Sequence, residues 1–168
     1  MIKPRIGCYA VYEPPEEGWE NWEAQFLQVC QDLQSAGLET IAAPEAVKDP
    51  ASCERVAAWA AAQDLDLLHA LVITWSFDHY TIQIQQHTAL PVAVRSIPGI
   101  RTGSLVGGEQ LNCVLTDLGS EHRLFFGPQG SAYPRVASTY NNQGTHHLSR
   151  LPAICHCLIP PFLTLIRR

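Results

Sequence analysis

The chain has 168 residues, 46% of them hydrophobic and 16% charged, with a formal net charge of −5. That length suits one domain with one sizeable core. The sequence has no run of 18 apolar residues able to span a bilayer, and its net charge argues against general nucleic-acid binding, which needs a concentrated basic face.

Arg5 to Tyr12 is a short, nearly continuous apolar run, as expected of a strand buried on both faces. Pro14-Pro15 ends it, because consecutive prolines cannot continue a central ladder. Trp19, Trp22, Phe26, Cys30 and Leu33 recur at helical spacing, and Gly37 is a natural C-terminal stop. Leu38 to Ala43 reads as a second strand. Asp49-Pro50 starts a helix, with a capping carboxylate before proline at the first helical position. Val56, Trp59 and Ala60 form its buried face, and Gln63-Asp64 closes it.

Leu67 to Thr74 is the third and most hydrophobic strand. A short helix around Thr81 to His87 leads to a fourth strand at Pro91 to Val94. Ser104 to Leu118 is the next helix, with Leu105, Leu111, Val114 and Leu115 inward, and Arg123 to Phe126 a fifth strand. This alternation predicts an α/β fold: a five-stranded parallel sheet, doubly wound in three layers, flavodoxin-like or Rossmann-like.

The charge is unevenly placed. Residues 1–121 hold all 16 acidic residues against six basic ones, whereas residues 122–168 hold five arginines, four of the seven histidines and no acid. Such a break has two ready origins, a separate basic tail or a C-terminus foreign to the original gene, as after a shifted reading frame. Loss of the hydrophobic period beyond Gly127 favours the second. The expected organisation is a domain over residues 1–127 and an irregular basic tail over 128–168, out of frame or disordered. The N-terminus Met1–Arg5 has charge but no apolar stretch and no small-residue cleavage site, so the cytoplasm is the expected compartment. Cys8, Cys30, Cys53 and Cys113 fall inside predicted elements and read as small buried hydrophobes.

Open parallel sheets bind ligands beyond the carboxyl ends of their strands, where strand order reverses. Here that point lies between the first and third strands, where the loops Glu13–Trp19 and Trp75–Tyr80 meet. The second loop puts an indole, a hydroxyl, a carboxylate, an imidazole and a phenol within six residues of a buried strand end. Aromatic faces stack on the C–H surfaces of sugars or on bases, while Asp and His hydrogen-bond hydroxyls. Trp75, Asp78, His79 and the later Arg101 are the candidate substrate-binding residues, and no catalytic or metal residue is assigned. The bland alternative is that Trp75 and Phe77 only cap the sheet.

Glu13, Glu16 and Glu17 in the first loop would repel a phosphate. Thr74 and Trp75 stand where a phosphoacceptor receiver domain needs an aspartate. Gly99–Ser104 with Gly107-Gly108 reads as a structural turn with close helix–sheet packing, in which Thr102 or Ser104 could cap the helix. His69 reads as a satisfied core residue. His146-His147 with Cys155-His156-Cys157 is a weak match to a zinc site.

Ile6 to about Phe126 resembles the N-terminal domain of the L-fucose/L-arabinose isomerase family. The supporting segments are IGCYAVYEPPEEGWENWEAQF, LLHALVITWSFDHYTIQIQQH and PVAVRSIPGIRTGSLVGG, at 6–26, 67–87 and 91–108. The resemblance implies a longer, multi-domain cytoplasmic enzyme of carbohydrate metabolism that interconverts aldoses and ketoses. It implies homo-oligomers with active sites at subunit boundaries. It implies Mn²⁺ held by residues of later domains, so that this chain alone has no cofactor and no activity. It also implies that an aromatic residue ending the third strand, here Trp75, faces a small-molecule sugar in a neighbouring subunit's site. Neither nucleic acid nor membrane is an expected partner. The alternatives are a stand-alone sugar-binding module without catalysis and, more weakly, a metal-independent racemase-like enzyme using Cys8.

Overall fold

The computed structural model describes residues 4–99 and 103–127 and the backbone of a further strand at Arg135–Thr139. The strands are β1 (Arg5–Val11), β2 (Glu39–Ala42), β3 (Leu67–Val72), β4 (Val92–Ser96), β5 (His122–Phe126) and β6 (Arg135–Thr139). The α-helices are α1 (Trp22–Ser35, preceded by a 3-10 turn at Trp19–Asn21), α2 (Pro50–Ala62), α3 (Asp78–Thr88) and α4 (Ser104–Asp117). Strand order is β2-β1-β3-β4-β5-β6. The first five strands are parallel, as the alternating pattern predicts.

The tail was expected to hold no regular element, and β6 corrects this. It pairs antiparallel with β5, with Arg123 opposite Thr139 and Phe126 opposite Arg135, and the register shifts between Leu124 and Phe125. A short strand can be recruited by the free backbone groups of a sheet edge without an apolar run of its own.

Each central strand contributes to both cores, which is why β1 and β3 read as unbroken apolar runs. Tyr9, Val11, Leu68, Val72 and Val94 pack with Val56, Ala57 and Ala60 of α2, Ile84 of α3 and Leu111 and Leu115 of α4. On the opposite face Ile6, Cys8, Ala10, Leu67, Leu71 and Ile73 pack with Phe26, Val29, Cys30 and Leu33 of α1. Burying each large aliphatic side chain contributes about 1.5–3 kcal/mol.

Local chemistry fixes the helix ends. The Asp49 carboxylate accepts from the Ser52 amide at 2.7 Å, and the Ser52 hydroxyl accepts from the Asp49 amide at 3.1 Å, a reciprocal cap behind Pro50. Gly37, at φ 88°, lets the chain turn out of α1 into β2. α4 lies close to the sheet because it is small where it touches. A Cβ on Gly108 would stand 1.9 Å from Ser96 Oγ and 3.2 Å from Leu124 Cδ1. Leu105 does not face inward as its spacing suggested; it is exposed, and Ser104, Gly107 and Gly108 take the buried positions. Gly108→Ala is therefore expected to destabilise the domain by about 1–3 kcal/mol through overpacking, measured as a lowered urea midpoint.

Candidate functional site

β1 and β3 are neighbours whose chains leave in opposite directions, β1 toward α1 on one face and β3 toward α3 on the other. This opens the crevice expected at a reversal of strand order. The two loops meet there: the Glu13 amide donates to Thr74 Oγ1 at 3.0 Å, and that hydroxyl donates to the Trp75 carbonyl at 2.9 Å. Thr74 is fully buried. Its side chain thus acts as the strap between the two strand ends.

Trp75 and Asp78 are joined through a residue that local sequence did not point to. The Trp75 indole N–H donates to Gln110 Oε1 at 3.0 Å, and Gln110 Nε2 donates to Asp78 Oδ2 at 2.7 Å. Both partners together fix which way the amide faces. The Trp75 backbone and Cβ lie against the first turns of α4, so a Cβ on Gly103 would come 2.7 Å from Trp75 Cβ and one on Gly107 3.1 Å from its Cα. The glycines that read as a structural turn with close packing are where Trp75 is seated. Ser104 does not cap α4. Its hydroxyl bonds to the Val72 carbonyl and accepts from the Ile97 amide at 2.7 Å, stitching α4 to β3 and β4. Thr102 lies outside the described residues.

Gln110→Leu would leave the indole N–H and the Asp78 carboxylate without this partner. A destabilisation of about 1–3 kcal/mol is expected, checked by chemical denaturation.

The exposed His79 ring packs against Phe77 and Tyr80, at centroid distances of 5.5 and 4.4 Å. Phe77 meets the Trp75 ring edge-on at 5.2 Å and is 44% exposed. Across the crevice Tyr12 stacks on Trp19 at 5.4 Å and tilts against Trp22. Arg101 lies outside the described residues. The structure thus places Trp75 on the loop after β3 and Asp78 and His79 in the first turn of α3, and adds Gln110, Glu13 and Thr74 to them.

The strand ends are electronegative. Burial, with the charges of Glu13 and Asp49, raises the Tyr80 phenol above its ordinary value, and burial with Asp49 and Glu23 does the same for Tyr12. Asp78 Oδ1 and Glu13 Oε2 are buried oxygens without a hydrogen-bond partner among the described residues. A ligand that donates hydrogen bonds suits such acceptors, and an anionic one is repelled.

Other candidates fare differently. Cys8 is fully buried, and the Cys30 thiol beside it, together with burial, holds it well above the ordinary thiol range. It is therefore a poor nucleophile. His69 is buried as expected but is not fully satisfied, since its Nδ1 has no partner among the described residues. The histidines and cysteines suggested for zinc, His146 to Cys157, lie outside the described residues. Among the described residues no three His, Cys, Asp or Glu side chains gather in a way that could hold a metal ion. They do not fit the manganese that the resemblance implies. No helix among them is long and apolar enough to cross a membrane.

No known protein family profile matches the chain, and no curated protein does. Among solved structures, it is similar to the transcriptional regulator CelR in complex with cellobiose, at 14% identity and a TM-score of 0.40. That similarity covers 75% of this chain and 52% of the regulator, so the chain spans about half the regulator's length.

Proposed function

We propose that this chain is the N-terminal domain of an L-fucose/L-arabinose-type aldose–ketose isomerase, holding part of a sugar site without completing the reaction alone. The observation that carries this reading is the seating of Trp75 at the end of β3, beside the acceptor Asp78 and fixed to it through Gln110. An indole offers a flat apolar face to the C–H side of a sugar ring, and carboxylate oxygens accept from its hydroxyls. In the full-length isomerases that the sequence resembles, Mn²⁺ would polarise the two sugar oxygens. By that resemblance its ligands would come from later domains.

A second reading, a stand-alone sugar-binding module, is favoured by one feature. Contacts within this domain, from Gln110, Gly103, Gly107 and Phe77, already hold Trp75 in place. Incubation of the purified chain with manganese and L-fucose or L-arabinose separates both readings from a complete enzyme. No ketose is expected. Sustained ketose formation by this chain alone would contradict both. Sugar binding by the monomer, seen by calorimetry alongside size exclusion, would favour the module.

A further inference from the structure

The sheet face that carries α1 contains a second polar group, at the last residue but one of β4. Along β3 the residues on this face are Leu67, His69, Leu71 and Ile73, and along β4 they are Ala93 and Arg95, with Phe125 beyond on β5. Arg95 is registered between Leu71 and Phe125 and stands diagonal to His69, which is opposite Ala93. Arg95 is 5% exposed and His69 4%. Burial works against the charged form of the guanidinium, and Asp32 of α1 supports it. Yet no hydrogen bond or ion pair joins Asp32 to Arg95, and Asp32 Oδ2 is itself buried without a partner among the described residues.

Among the described residues, the guanidinium atoms without a partner are Nε and Nη2. These lie on one edge and present two parallel N–H donors, the fork that matches a carboxylate. The same chain shows what that edge does when it is filled: Arg55 Nε and Nη2 donate to the two oxygens of Glu45 at 2.6 and 2.7 Å. Leaving such an edge buried and empty is costly. Residues 122–168 contain no aspartate or glutamate that could fill it with a carboxylate.

We propose that Arg95 anchors a binding site for a small carboxylate on the α1 face of the sheet, the ligand's carboxylate taking the Nε/Nη2 edge and a neighbouring hydroxyl donating to Asp32 Oδ2. The site uses none of Trp75, Asp78 or Gln110 and does not rest on the sugar reading. Its ligand class is a small hydroxycarboxylate, since the guanidinium alone suits any oxyanion while Asp32 repels one that brings no donor.

The test is thermal unfolding of the full 168-residue chain at constant ionic strength, with sodium chloride exchanged for acetate, glycolate or inorganic phosphate. Glycolate is expected to give a saturable rise in Tm of about 4 °C or more, and acetate a smaller one. Arg95→Lys, which keeps the charge but loses the fork, should abolish most of the rise. Arg95→Met should be as stable as the wild type or more so in chloride, yet show no response to glycolate. An Arg95→Met variant destabilised in chloride would show that the guanidinium is already satisfied within the protein or by water. That result, the same Tm rise in Arg95→Lys as in the wild type, no response to either carboxylate, or a response to phosphate alone would each overturn the proposal.

Discussion

Acidification from pH 7 to pH 5 is expected to cost the folded domain about 2 kcal/mol through His69 alone. Burial, with the nearby positive charge of Arg95, pushes this imidazole down from its ordinary value to about 3. In the unfolded chain it titrates near its ordinary value of 6.5. The unfolded state therefore binds a proton that the folded state refuses, and stability falls as pH drops below about 6.5, levelling only near 3. Carboxylates titrate mostly below pH 5, so the upper part of this window isolates the histidine contribution. His69→Leu replaces a ring whose Nδ1 has no partner among the described residues by an aliphatic chain on an apolar face and should flatten the limb between pH 6.5 and 5. Urea unfolding at several pH values checks this. An unchanged slope in His69→Leu would show that His69 is not held neutral in the fold.

Trp75→Ala is expected to weaken sugar binding roughly 10- to 30-fold, the loss of about 1.5–2 kcal/mol of ring-on-ring contact. Trp75→Phe should retain most of the binding, because a flat face survives, although the hydrogen bond to Gln110 is lost. The pair of variants separates stacking from simple packing. If Trp75 only caps the sheet, Trp75→Ala lowers the unfolding midpoint and leaves sugar affinity unchanged in the fraction that is folded. Isothermal titration with L-fucose and L-arabinose reads the affinity, and a denaturation curve on the same samples reads the stability.

The sheet could be read from the sequence because its central strands are buried on both sides. The runs RIGCYAV and LLHALV then carry no competing periodicity, and Asp49-Pro50 marks a helix start by chemistry alone. Reading stopped where a charge interrupted the pattern. β4 runs on through Arg95 to Ser96, both buried, although an arginine ordinarily ends an apolar run. α3 starts at Asp78, earlier than expected, because its N-cap, Phe77, makes no side-chain cap that a sequence could advertise. β6 carries no alternation and is held by backbone pairing to β5.

At the strand ends, one aromatic-rich hexapeptide pointed to the segment that holds Trp75, Asp78 and His79. Gln110 was not legible, because it meets Trp75 across 35 positions and Asp78 across 32, beyond any local spacing. The unsatisfied state of His69 escaped for the same reason. A pattern shows that a side chain is buried, but partners come from packing.

Calorimetric titration of the wild-type chain with L-fucose and L-arabinose probes the strand-end crevice most directly. Saturable binding in the millimolar range or tighter, weakened by Trp75→Ala and unaffected by manganese, is the predicted result. Heats that never saturate with either sugar, or an affinity identical in wild type and Trp75→Ala, would contradict a sugar-facing role for this loop.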